Sequence, residues 1–515
     1  MLDAVEGPDA ALQWSLVSGP RSPSSADAPA GAVIDAATGD PAALLASILD
    51  AFPGAGELGA LFAEHGHALA LVGGVVREAL LGRPHRSGVD WDFATSATPD
   101  QTELVVAAWA DAVWDVGRVY GTIGARRGDR TVEITTYRSD AYASDSRKPV
   151  VAFGDTLEGD LSRRDFTVNA MAIDLADHRL VDPFGGRADL RQGVLRTPGT
   201  PQQSFGDDPL RMLRAARFAA QLGFAAAGEV VAAMRDMADR IAIVSAERVR
   251  DELVKLILAD DPRAGLTLLV RTGLADQVLP ELPALRLERD EHHRHKDVYE
   301  HSLTVLEQAM TLEHRLGDRP DLIVRLAALL HDVGKPRTRR FAPDGTVTFH
   351  HHDVVGAKLV RKRMRALRFS GDTTDRVATL VGLHLRFHGY GGGEWTDAAV
   401  RRYARDAGDE LARLHVLTRA DCTTRNVRKA KRLQTSYDDL ERRIAQLAEQ
   451  EELNSMRPDL DGNAIMAELD VAPGPAVGEA YRYLLEQRVE HGPLGDERAR
   501  EVLRTWWAGR HNGVS

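Results

Sequence analysis

The stretch 69–98, LALVGGVVREALLGRPHRSGVDWDFATSAT, decides how the chain is read. Leu69–Val72 is a short apolar run of strand type that leads straight into the pair Gly73-Gly74. A helical run follows over 75–81, and a second strand over 89–93 bears Asp90 and Asp92. Residues two apart on a strand point the same way, so both carboxylates face one side and Trp91 the other. Hard divalent cations such as Mg²⁺ take oxygen ligands and keep positions open for phosphates. Glycine lets backbone N–H groups approach a polyphosphate closely at the start of a helix. Alone, each half is common: a solvated strand edge, or a plain turn. In such quick succession they predict a nucleotidyl-transfer site.

The residues that follow extend the same unit. A helix over 98–110, with Pro99 and Asp100 in its first turn, precedes strands over 112–116, 122–126 and 131–136. Arg127-Gly128-Asp129 turns the last two into a hairpin. Alternation puts Glu133, Thr135 and Tyr137 on one face, so Glu133 supports metals, orients Arg138, or is a solvated edge carboxylate. In GDLSRRDFTVNAMAID (159–174), Arg163 and Arg164 suit triphosphate oxygens, which the guanidinium fork matches better than lysine does. Asp165 and Asn169, four apart at an expected helix start, share a face.

With the turn DPFGG at 182–186, these motifs make a resemblance plain over roughly residues 60 to 290. The chain resembles the CCA-adding tRNA nucleotidyltransferases of the bacterial and eukaryotic type (class II), in the polymerase-beta-like superfamily. The resemblance implies that Asp90 and Asp92 bind catalytic Mg²⁺, and that Gly73, Gly74, Arg77 and Arg164 hold the incoming triphosphate. It implies an α+β head with a mixed sheet, followed by an extended all-α body. One departure is Glu78, where the family usually has Asp.

FGDDPLRMLRAARFA (205–219) adds a second signal. Asp208 and Arg211 lie three apart on a helix starting at Pro209, with Asp207 alongside and Arg214 one turn further on. Cytosine and adenine each pair an exocyclic amine with an unprotonated ring nitrogen; guanine and uracil present a carbonyl and a ring N–H instead. A fixed carboxylate with an arginine therefore accepts the first two bases and rejects the others. By itself such a pattern is a helix cap with an (i, i+3) ion pair. The resemblance implies that it stands in for a template in selecting CTP and ATP, with Asp207 replacing the usual Glu; Asp165, Asn169 and Arg214 join the nucleotide-binding candidates. SAERVRDEL (245–253) resembles the family's neck helix, opened by a Ser cap.

A separate pattern begins at His301. His331-Asp332 ends the apolar helical run 326–330, and His352, His384 and Asp421 follow. The order resembles the HD superfamily of metal-dependent phosphohydrolases, all-helical domains. His301, His331, Asp332 and Asp421 are the ligands so implied, with His352 and His384 placed for a second metal; imidazole and carboxylate suit a transition metal or Mg²⁺. Such a domain either trims 2′,3′-cyclic or 3′-phosphate RNA ends or serves only as a helical body. The basic runs 361–368 and 425–432 (RNVRKAKR) contact RNA phosphate or form solvated faces. Trp506-Trp507 reads as core packing.

At 515 residues the chain exceeds one core, and roughly three or four domains are expected. The divisions are a disordered tail 1–42, a head 43–186, a helical base-recognition and neck unit 187–289, an HD unit 290–425 and a C-terminal helical region 426–515. Residues 283–294 join two helical units, and 453–475 is a turn-rich break. A single cysteine, Cys422, excludes an internal disulfide framework and fits the cytoplasm. No apolar run approaches the ~20 residues of a membrane span. The net charge of −11 opposes indiscriminate nucleic-acid binding but allows a local basic groove. The expected partners are the tRNA 3′ end, CTP and ATP, with neither membrane nor DNA; the expected cofactors are Mg²⁺ at the head and a divalent metal at the HD site. Two other products or classes compete: a poly(A) polymerase or partial CC- or A-adder, and a phosphohydrolase whose head only binds RNA. The segment 138–151 resembles the flexible loop of full-length adders and favours complete CCA addition.

Overall fold

The computed structural model describes residues 46, 48–83, 91–141, 150–153, 156–286, 297–343, 347–390, 395–424, 426–451 and 457–511. Asp90, Arg425, the tail 1–42 and the centre of the 138–151 segment lie outside them. The head is built on a seven-stranded mixed sheet. Its strands are β1 (Leu69–Val72), β2 (Trp91–Thr95), β3 (Ala112–Gly117), β4 (Thr122–Arg127), β5 (Arg130–Thr136), β8 (Ala172–Asp174) and β9 (Leu180–Val181). Their order is β3-β4-β5-β2-β1-β8-β9, with β2 and β5 parallel and every other pair antiparallel. Two further strands, β6 (Arg138–Ala141) and β7 (Val150–Phe153), pair with each other, so the arms of the expected loop form a ladder of their own.

Strand alternation divides the sheet into an apolar and a working face. Trp91, Phe93, Val132, Ile134, Ile123 and Ala125 are buried against the helices Gly54–Glu64 and Pro99–Ala107. On the other face, register aligns Asp92, Glu133, Gly124 and Trp114 across four strands. The helix Leu157–Ser162 covers one half of that face, where Leu161 packs with Ala70, Val72, Ala94, Tyr137 and Ala172. The helix expected over 98–110 is shorter, Pro99–Ala107, and opens with a capping box made by Thr98 and Gln101. The helix start expected around Asp165 is a 3-10 turn over Thr167–Asn169. Asp165 sits before that turn and accepts the Phe166 N–H, an arrangement that competes with a regular helix.

Beyond the head the chain is helical, apart from two short two-stranded ladders. One continuous apolar core runs from Ile48 to Leu447, joining head, neck and the following helices. Arg325, on the helix Leu322–Leu330, fastens the junction. It pairs with Glu313 at 2.8 Å and donates to the carbonyls of Ile257 (3.0 Å) and Ala259 (2.9 Å) at the end of the neck helix Ala246–Ile257. Removing one member of a buried ion pair strands the other, which costs about 3–5 kcal/mol. Arg325→Ala is therefore expected to lower the melting temperature of the neck and HD body in calorimetry. An unchanged transition would remove the junction role.

One reading of the helical part needs correction. The stretch 453–475 contains a helix, Gly462–Leu469, capped by Asp461. With Pro475–His491 and Asp496–His511 it forms a separate small core of Leu460, Ile465, Ala480, Leu484, Ala499 and Leu503. Trp506 packs on that core and stacks on Tyr483 at 4.8 Å. In the basic run 361–368, Arg361 pairs with Asp375 and Arg363 with Glu281, while Lys362, Arg365 and the Arg368 side chain are exposed. The run 426–432 is mostly exposed, as an RNA-facing or solvated helix face must be.

Candidate functional site

The β1 strand delivers Gly73 to the edge of the working face with φ +74, a conformation that side-chain-bearing residues rarely adopt. A Cβ placed there would lie 3.2 Å from Arg164 Nη1 and 3.6 Å from Asp92 Oδ2. Backbone amide, guanidinium and carboxylate thus meet around one small space. Glu133 stands opposite Asp92 on the parallel strand β5, which puts a second described carboxylate on the same face. This arrangement can hold an anionic phosphate chain and a divalent cation side by side.

The arginines around this space are held in place. Asp160, fully buried, accepts from Arg163 Nε at 3.0 Å and Arg164 Nη2 at 3.1 Å. Burial alone would raise the Asp160 pKa, but the two guanidiniums outweigh it and keep the carboxylate charged. Arg77 is oriented by Glu78, at 2.9 and 2.7 Å, and by the Asn169 carbonyl oxygen. Glu78, the point of departure, thus accepts from its neighbour Arg77 through one carboxylate oxygen. Asp165 is buried and binds Asn169 Nδ2 at 3.0 Å and Arg214 at 2.6 Å. Burial opposes its charge; Arg214 and Asn169 prevail and hold the carboxyl below the usual range. Phe218 supplies the apolar floor, with the guanidiniums of Arg77, Arg214 and Arg217 at 5.2, 5.5 and 4.1 Å from its ring centre.

The base-reading pair is arranged differently from the simplest expectation. Asp207 closes the helix Pro201–Asp207, and Asp208 lies between that helix and Leu210–Leu222. Asp208 accepts the Leu210 N–H at 3.1 Å and pairs with Arg248 of the neck helix at 2.8 Å. Arg211 donates to Ser204 Oγ at 2.9 Å and to the Arg163 carbonyl, while Asp208 pairs with Arg248 instead of with Arg211. Both groups are anchored from behind and carry further hydrogen-bonding capacity. Asp160 and Phe218 were missed in the sequence, although Asp160 had a signal, lying three and four residues before Arg163 and Arg164. Arg248 lies in the neck stretch 245–253, but its partner Asp208, distant in sequence, had no signal.

The second cluster brings all six expected residues together. His301, His331 and Asp421 form one group of potential ligand atoms, and Asp332, His352 and His384 another, each within 4.8 Å. His331, His352 and His384 each engage a backbone carbonyl through Nδ1, those of Ala328, Phe349 and Val381, at 2.7–2.8 Å. In the neutral ring that bond keeps the proton on Nδ1 and leaves Nε2 facing inward. All three Nε2 atoms are buried, and those of His331 and His352 lie 3.2 and 3.3 Å from the Asp332 carboxylate, an imidazole and carboxylate set suited to a metal. Burial disfavours charge on His331, but Asp332 and Asp421 outweigh it and push its pKa up to about 9. His384, buried and facing His331, is pushed down to about 4. Lys335 Nζ donates to Asp332 Oδ2 at 2.6 Å.

Comparison with known proteins matches these parts separately. Residues 69–196 match the poly A polymerase head domain, 223–285 the probable RNA and SrmB-binding site of polymerase A, and 298–451 the HD domain. The A-adding tRNA nucleotidyltransferase of Deinococcus radiodurans is 36% identical, over 85% of this chain and 95% of its own. The multifunctional CCA protein of Neisseria gonorrhoeae is 35% identical, over 62% and 74%. The solved structure of the Bacillus stearothermophilus CCA-adding enzyme in complex with CTP superposes with a TM-score of 0.64 at 26% identity, covering 90% of this chain and 99% of that one.

Proposed function

The chain belongs to the CCA-adding tRNA nucleotidyltransferases that carry an HD domain, and from that membership we propose that it builds the CCA end of tRNA from CTP and ATP. The observation that carries this reading is the meeting of Gly73, Arg164 and Asp92 within 3.6 Å of one modest space. Asp90 and Asp92 would hold Mg²⁺, with Glu133 in support. Bound there, the metal would make the tRNA 3′ hydroxyl more acidic and neutralise charge on the pyrophosphate leaving group. Arg164 and Arg77 bind and align the triphosphate; Asp160 and Glu78 keep those guanidiniums aimed. Asp208 and Arg211 read the base edge, while Arg248 and Ser204 hold them at fixed separation. Asp165, Asn169 and Arg214 form the rigid backing that joins the two parts.

The test is to incubate labelled tRNA lacking its CCA end with CTP, ATP and Mg²⁺ and to sequence the product. Addition of C, C and A is expected; no addition overturns the reading, and a long A tail converts it to a poly(A) polymerase. The name of the D. radiodurans relative makes the sequenced product the decisive readout, since an A-adder would act only on tRNA already ending in CC. Neither the poly(A) polymerase nor a head that only binds RNA is favoured by the relatives found. Asp208→Ala or Arg211→Ala is expected to relax base choice. UTP and GTP incorporation relative to CTP should rise roughly ten- to a hundredfold, the worth of one lost edge contact, in single-nucleotide assays.

The HD cluster supports a second activity on the same substrate. We assign it to hydrolysis of 2′,3′-cyclic or 3′-terminal phosphates, which leaves the free hydroxyl that nucleotide addition requires. Its six ligands would hold one or two divalent ions of a kind the donor set does not fix. No helix of the described residues is long and apolar enough to cross a membrane; with a single cysteine, this agrees with a cytoplasmic location.

A further inference from the structure

We propose that Trp114 is a stacking platform for the single-stranded 3′ end of the tRNA, just upstream of the reacting hydroxyl; this rests on reading the head as the nucleotidyl-transfer site. Three pairings put Trp114 in one row with the site: Trp114 opposite Gly124, Gly124 opposite Glu133, and Glu133 opposite Asp92. Paired residues share a sheet face, and strands are spaced about 4.8 Å apart, so the indole stands about 14 Å from the Asp92 position. Gly124 makes room for it. A Cβ at Gly124 would come within 2.6 Å of the indole and of a Val116 methyl, so only glycine lets both side chains settle onto β4. The residue is nevertheless 40% exposed, and Val116 45%. Large apolar groups at the open edge of a sheet, beside a polar site, mark a surface with an occupant.

The occupant follows from the direction a strand can take. On the β1 side of Asp92 the working face is closed by the helix Leu157–Ser162, packed through Leu161. On the β5 side Glu133 is half-buried and Trp114 and Val116 are exposed. A nucleic-acid strand ending at Asp92 therefore has its open course toward Trp114. Arg126 lies two residues from Gly124 on β4, hence on the same face, and is exposed, which places a cation where an RNA backbone would run. Aromatic stacking accepts any base, as an enzyme serving tRNAs of differing sequence requires.

The test compares steady-state addition to tRNA lacking its CCA end by the full-length protein and three variants. For Trp114→Ala, the apparent KM for tRNA is expected to rise roughly five- to tenfold, the lower end of base–aromatic stacking, with kcat and the KM for CTP unchanged. Trp114→Phe should restore the KM. Gly124→Ala, which displaces the indole while keeping it, should raise the KM as Trp114→Ala does. Replacing the bases next to the 3′ end with abasic sites should weaken the wild type but not Trp114→Ala further, because the two changes remove one contact. An unchanged KM in Trp114→Ala, an equal loss in Trp114→Phe, or a shift in size-exclusion volume showing that the patch joins two copies would each overturn the proposal. Failure of the head reading would look different: the wild type itself would add nothing.

Discussion

Asp92→Ala is expected to lower nucleotide addition by roughly a thousandfold or more while leaving tRNA affinity within about twofold. Metal-held charge at a phosphoryl centre is worth several kcal/mol, and each 1.36 kcal/mol is a factor of ten in rate. Asp92 projects from β2 to within reach of Gly73 and Arg164, where phosphate and cation would meet. Asp92→Asn keeps the shape but loses the charge and exchanges one acceptor oxygen for a donor, so it should be almost as defective. That outcome separates cation binding from mere positioning. Glu133→Gln, on the neighbouring strand, should instead raise the Mg²⁺ concentration needed for half-maximal rate. Addition assays with Mg²⁺ titration, beside filter binding of tRNA, check all three. An Asp92→Ala enzyme with near-normal addition would end the assignment.

Asp332→Ala should silence the second site and spare the first. Its carboxylate lies 3.2 Å from His331 Nε2, 3.3 Å from His352 Nε2 and 3.7 Å from His301 Nε2, so it touches members of both ligand sets. The expected result is loss of bound divalent metal by elemental analysis, and a fall of roughly a hundredfold or more in hydrolysis of a 2′,3′-cyclic phosphate end. CCA addition to a 3′-hydroxyl tRNA should continue, because the cluster's ligands are none of the residues assigned to the head site. The Asp332→Asn variant keeps the volume and guards against loss through misfolding. Metal retained at full stoichiometry, or undiminished hydrolysis, would show that these six residues are not the hydrolytic centre.

Much of this was legible along the chain because the chemistry is local there. Gly73, Gly74 and Asp92 fall within one strand–turn–helix–strand unit, where a period of two and a positive φ follow from adjacent residues. Three of the HD histidines, His331, His352 and His384, sit at helix ends with Nδ1 held by a carbonyl three residues back, a local bond, whereas His301 Nδ1 meets the distant Thr423 hydroxyl at 3.3 Å. Local reading failed at Asp165, where a side chain bonding its own backbone turned a helix start into a 3-10 turn. It failed again at 453–475, where turn residues flank a helix too short to show a period.

The sequence by itself determined which groups carry the chemistry: paired carboxylates, glycines, arginines and imidazoles, of fixed type and order. Only the tertiary structure decided what those groups face. It placed Glu133 beside Asp92 by parallel strand pairing, aimed Arg164 through a buried Asp160, and gave Asp208 a partner from the neck helix forty positions away. The reason is physical. Side-chain type and backbone period are properties of a few consecutive residues, whereas the partner of a charge, and so its direction, is set by elements that meet only when the core closes.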